Sequence, residues 1–119
     1  MTVAENKALV RRHFDEFVNK KNHDIVMETV SDDFVDHDGP GGRATDRDGD
    51  RGMMIALHGQ IADLHVTIED MVGEGDKVVC RNVWRGSVNQ RAITFRGIVI
   101  WRLAHGKIVE RWASVGSPS

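Results

Sequence analysis

Residues 66–115 read VTIEDMVGEGDKVVCRNVWRGSVNQRAITFRGIVIWRLAHGKIVERWASV, and this stretch decides the fold. Val66–Val72, Lys77–Arg85, Ala92–Leu103 and Lys107–Val115 are rich in β-branched or aromatic residues and carry no helical period, so each reads as a strand. Gly73-Glu74-Gly75-Asp76, Gly86-Ser87-Val88-Asn89 and Ala104-His105-Gly106 separate them. Glycine reaches positive φ there without strain, and Asp or Asn side chains bond back to the turn backbone. Strands joined this tightly run antiparallel, because a parallel neighbour needs a long crossover.

Working back toward the N-terminus, the period changes. Val3, Val10, Phe14, Phe17 and Val18 recur at helical spacing and predict a helix over about Ala4 to Lys20, with Arg11, Arg12, Asp15 and Glu16 facing water. Asn22 or Asp24 caps a shorter helix carrying Ile25, Val26, Thr29 and Val30. Phe34-Val35-Asp36-His37-Asp38 reads as a short extended segment, followed by a loop over Gly39 to Gly49. A third helix places Met54, Leu57 and Ile61 on one side. Helices followed by an antiparallel meander give an α+β class: a strongly curved sheet closed on one side by helices, in one domain over residues 1–119.

On the strand Ala92–Leu103, one face holds Ile93, Phe95, Gly97, Val99, Trp101 and Leu103, and the other holds Thr94, Arg96, Ile98, Ile100 and Arg102. On the last strand Val109, Arg111, Ala113 and Val115 share a face, with Ile108 and Trp112 opposite. A sheet wet on one side alternates cleanly between apolar and polar, and this one does not. The outer face is therefore expected to be covered, and a second copy packed sheet to sheet supplies the cover. A net charge of −2 gives no basic patch for nucleic acid, and no apolar run approaches a membrane span. The N-terminus lacks the apolar core of a signal peptide, and the one cysteine, Cys80, reads as a small core residue. A cytoplasmic location is expected.

Asp32-Asp33-Phe34-Val35-Asp36-His37-Asp38, the run Val66 to Val78 and Gly106-Lys107-Ile108-Val109-Glu110-Arg111-Trp112, in this order of elements, resemble the SnoaL-like branch of the nuclear transport factor 2-like superfamily. The resemblance spans nearly the whole chain. It implies a conical α+β barrel, commonly dimeric, with an apolar pocket between sheet and helices, and reactions that include polyketide cyclisation, isomerisation, epoxide hydrolysis and dehydration. Carried over position by position, the cyclases' last-strand aspartate falls on Ala113 and their cavity histidine on Val99. The steroid isomerase's base matches Asp38, and its tyrosine falls near His13 in a chain that has no tyrosine.

Candidate catalytic groups are then Asp38, His37 and His13. In an extended segment Asp36 and Asp38 share one side and Val35 and His37 the other, so which of them faces the pocket stays open. Phe17, Met53, Met54, His58, Phe95, Val99 and Ala113 are expected to line the pocket, and Trp84 and Trp101 each bring an indole N–H for a bound oxygen. The small residues Gly97 and Ala113 on one face argue for open space. Asp46, Asp48 and Asp50 alternate like calcium ligands, but the sixth and twelfth positions hold Arg51 and Leu57, which breaks the pattern. No metal and no cofactor is expected. Two readings remain: cofactor-free acid/base chemistry on a small apolar carbonyl compound, or a non-catalytic module for ligand binding or dimerisation.

Overall fold

The computed structural model describes residues 1–119. Helix α1 (Val3–Phe14) opens with a reciprocal cap, in which Thr2 Oγ1 accepts from the Glu5 N–H and the Glu5 carboxylate accepts from the Thr2 N–H. It does not run on as one regular helix to Lys20. A wider π-turn spans Asp15–Asn19. At about 100° per residue, position 19 of a regular helix would point away from the face that holds Val10. The wider turn swings Asn19 round to the sheet, where its side chain pairs with both the N–H and the C=O of Val66, at 2.8 and 3.1 Å. A short turn (His23–Ile25) and helix α2 (Val26–Thr29) then lead directly into strand β1 (Val30–Asp36).

Helix α3 is Arg47–Gln60, followed by β2 (Ala62–Glu74), β3 (Lys77–Val88), β4 (Arg91–Ala104) and β5 (Lys107–Val115). The sheet order is β1-β5-β4-β3-β2, with β1 parallel to β5 and every other pair antiparallel. The fold is the expected α+β cone, and its core is the concave face of the sheet against α1, the π-turn and α3. Val10, Phe14, Phe17, Val18, Phe34, Met54, Val78, Cys80, Val99 and Trp101 are buried together there. No helix is long and apolar enough to cross a membrane.

Two local features depart from the sequence pattern. The β4–β5 register shifts between Arg102 and Leu103: Arg102 pairs with Glu110 and Leu103 with Ile108, so Val109 is an extra residue. A bulge inverts facing beyond it. Ile108 and Arg111 therefore both point inward, and strict alternation, which puts them on opposite faces, fails there. The second departure is the loop before α3. Asp46 is the helix cap, its carboxylate accepting from the Gly49 N–H at 2.8 Å, so the alternating aspartates belong to a helix start.

Gly49 lets that helix approach β1. A Cβ there would lie 1.8 Å from Thr45 Oγ1, and Thr45 exchanges both backbone hydrogen bonds with Asp36 at 2.9 Å. Gly49→Ala should push α3 away from β1 and cost about 1–3 kcal/mol in urea unfolding. An unchanged midpoint would mean that this contact yields without strain.

Candidate functional site

Three charged or titratable groups from three elements meet under the cone. Asp36 ends β1 fully buried, and Arg111 lies directly across from it in the parallel β1–β5 register. Arg111 Nη1 donates to both Asp36 oxygens, at 3.0 and 2.9 Å, and its side chain is 12% exposed. Asp36 Oδ1 also accepts from the Asp38 N–H at 3.0 Å. Asp50, on the first turn of α3, is buried beside this pair. Burial pushes its carboxyl up to about 7, against the pull of Arg111, and a hydrogen bond and like charge from Asp36 add to the rise. Near neutrality Asp50 is therefore poised between its protonated and ionised forms, while Asp36 is held by the guanidinium.

His13 on α1 completes the polar set. It is buried, stacked on Phe17 at 4.9 Å and edge-on to Trp101, and its Nδ1 lies 2.8 Å from Thr29 Oγ1. Burial, with Arg111 nearby, drives its pKa down to about 3, so the ring is neutral. Arg111 sits over the Trp101 ring, 5.7 Å from its centroid. The indole N–H of Trp84 and both polar atoms of Asn82 are buried without a hydrogen-bond partner in the protein, and the indole N–H of Trp101 meets only the weakly accepting sulfur of Cys80. Unpaired buried donors are costly, and such groups are where a ligand atom is best received.

The space between these groups is small. His13, Phe14, Phe17, Val18, Asp50, Met53, Met54, Trp84, Trp101 and Arg111 enclose about 20 Å³, room for one water molecule. The roomy apolar pocket expected from sequence is filled by these large side chains. Gly97 does not open it: a Cβ there would meet Ser114 O and Val115 at 3.0 Å, so the missing side chain serves the close approach of β4 and β5.

Of the residues singled out from sequence, His13, Phe17, Met53, Met54, Trp84 and Trp101 line this cavity. Phe95 stacks on Trp84 at 5.6 Å behind it, Val99 is fully buried in the core, and Ala113 packs against the core half-buried. His58 lies outside the cavity wall, bonded to the Val18 carbonyl at 2.9 Å and to His23 at 2.8 Å. His37 turns to the outer face, where it stacks on Trp112 and its Nε2 meets Glu110 at 2.7 Å. Asp38 is exposed, and its carboxylate accepts the Ala113 N–H at 2.8 Å. Sequence reasoning passed over Asp50 and the Asp36–Arg111 pair. Asp50 was visible in principle, since it stands four, seven and eleven residues before Met54, Leu57 and Ile61, on the same helical stripe.

The family model for SnoaL-like polyketide cyclases matches residues 8–115. The chain belongs to this family. Among solved structures, a Bacillus cereus protein that carries a polyketide cyclase designation superposes with a TM-score of 0.84 at 29% identity, over 93% of this chain and 74% of its own. IdmH from Streptomyces antibioticus gives 0.84 at 24% identity, covering 92% and 91%. AclR from Streptomyces galilaeus, which carries a hydroxylase designation, gives 0.85 at 18% identity, covering 97% and 91%. The last two establish the fold alone, and the range of designations on one SnoaL-like scaffold makes the site residues decisive for function. No curated protein matches the chain by sequence.

Asp50 and His13 drive stability in opposite directions with pH. Asp50 holds its proton in the folded chain up to about pH 7 but ionises near 3.8 when unfolded, so its contribution falls as pH rises. His13 stays neutral when folded down to about pH 3 but charges below 6.5 when unfolded, so its contribution rises with pH. Between pH 3.8 and 6.5 the two slopes cancel. The unfolding free energy of Asp50→Asn relative to wild type should therefore climb through this window by about 1.4 kcal/mol per pH unit in urea titrations. A flat difference would mean that Asp50 ionises like an ordinary carboxyl.

Proposed function

We propose that the protein binds a small apolar carbonyl compound in the cone and moves a proton on it without a cofactor, with Asp50 as the acid/base group. The buried Asp50 carboxyl, poised near neutrality, carries this reading, because a group with a pKa near the working pH both gives and takes a proton readily. In its ionised form Asp50 removes a proton from the carbon next to the carbonyl. The C–H electron pair becomes the enol double bond, and the carbonyl oxygen takes the displaced pair. The unpaired indole N–H of Trp84 suits that oxygen. Asp36 and Arg111 position Asp50 and hold the local charge. Cyclase, isomerase, dehydratase and hydrolase chemistry can each start from such a step.

Entry of the compound requires Met53 and Met54 to swing aside, and unbranched thioether side chains do this at little cost. The second reading, a non-catalytic ligand-binding or dimerisation module, is favoured by the small cavity and by Ala113 and Val99 at the positions of the family's acid/base groups. Deuterium exchange next to the carbonyl of 2-tetralone separates the two. Wild type should accelerate it, and Asp50→Asn should lose about 100-fold of that acceleration. Equal exchange with both proteins, at the buffer rate, would leave the module reading.

The proposal includes a homodimer through the outer sheet face. Val72 pairs with Val79, Val79 with Ile100, and Ile100 with Trp112, forming one apolar row across four strands. Asp70, Arg81, Arg102 and Glu110 flank it with charge, and Ile98 beside it is 49% exposed. An apolar strip with a charged rim fits a self-complementary contact. Sedimentation should give a dimer for wild type and a monomer for Ile100→Glu. A monomeric wild type at micromolar concentration would remove the dimer from the proposal.

A further inference from the structure

We infer that Thr29 locks His13 as a permanent hydrogen-bond acceptor toward the cavity, so that the compound bound there must present an O–H or N–H donor to it. This rests on the reading of the cone as a ligand site and adds the polarity that the ligand must have.

One hydroxyl proton sets the tautomer of the ring. Thr29 Oγ1 lies 3.0 Å from the Ile25 carbonyl, four residues back on the same turn, and 2.8 Å from His13 Nδ1. A carbonyl can only accept, so the Thr29 hydroxyl donates its single hydrogen to Ile25. What it offers His13 is a lone pair, and Nδ1 must carry the ring proton to meet it. The neutral imidazole has only one N–H, so Nε2 is left bare. The His13 side chain is buried, Nδ1 makes its hydrogen bond to Thr29, and the ring forms part of the cavity wall. The positive charge of Arg111, close enough to act on the ring, also favours a lone pair over a second N–H.

In this scheme His13 receives a hydrogen bond from the ligand and gives none. The donors in the cavity are the indoles, Arg111 and protonated Asp50, and the acceptor is His13. A compound that matches both carries a carbonyl and a hydroxyl on one apolar frame, as an enol or a phenol with a carbonyl substituent does. Thr29 is a positioning residue in this scheme, because it acts only through the ring.

Nitrogen-15 NMR of imidazole-labelled protein reads the tautomer directly. His13 should show a protonated Nδ1 and a bare Nε2 across pH 5 to 8, unchanged in Thr29→Ser and mixed in Thr29→Val. A protonated Nε2 in wild type would overturn the inference without recourse to any variant. Added phenol should shift the His13 Nε2 resonance, and anisole, which has no donor, should leave it in place. An equal response to both, or none to either, would overturn the role toward ligands. Carbon-13 titration of the Asp50 carboxyl in the same sample reports separately on the acid/base reading, so the two fail independently.

Discussion

The buried pairing of Asp36 with Arg111 is the constraint around which the cone is arranged. β1 is the first strand in the chain, yet it joins the sheet beside the last one, β5, and in parallel. Asp36 and Arg111 sit directly opposite in that register, so the ion pair fixes where the N-terminal half docks. Removing one partner would strand a charge in the core, at a cost of about 3–5 kcal/mol. The same pair sets the electrostatics of Asp50, because the guanidinium is shared and Asp36 already claims most of it. Asp36 is held by the guanidinium, and burial leaves Asp50 with a carboxyl pushed up to about 7.

Packing and chemistry pull against each other at this site. Eight of the ten side chains around the cavity are apolar, aromatic or imidazole, and they close on about 20 Å³. That closure is what dries Asp50 and His13 enough to move their pKa values so far, one up and one down. A wider, wetter cone would return both to ordinary behaviour. The two helix α3 methionines, Met53 and Met54, complete that closure.

Several elements were legible because their signals are local. The β2–β5 meander follows from β-branched runs between Gly- and Asp-bearing turns, and α1 from its apolar stripe. The α+β cone, its family, and six cavity-wall residues followed from these. The failures are equally physical. The Val109 bulge inverts β5 partway along, so a strict two-residue period put Ile108 opposite Arg111. The π-turn adds a residue to a helical turn without leaving a mark on the apolar pattern. The loop was expected to run from Gly39 to Gly49, which hid the start of α3 at Arg47.

The sequence by itself determined the strands of the meander, the apolar stripes of the helices and the greasy interior, since periodicity and turn chemistry act between near neighbours. The tertiary structure alone decided which of eighteen carboxylates is buried. Asp36, Asp38 and Asp50 are chemically alike along the chain. One faces a guanidinium seventy-five residues away, one bonds a backbone N–H at the surface, and one is enclosed without a cation of its own. Solvent exposure and the nearest opposite charge set the proton affinity of a carboxyl, and both depend on residues that only folding brings together.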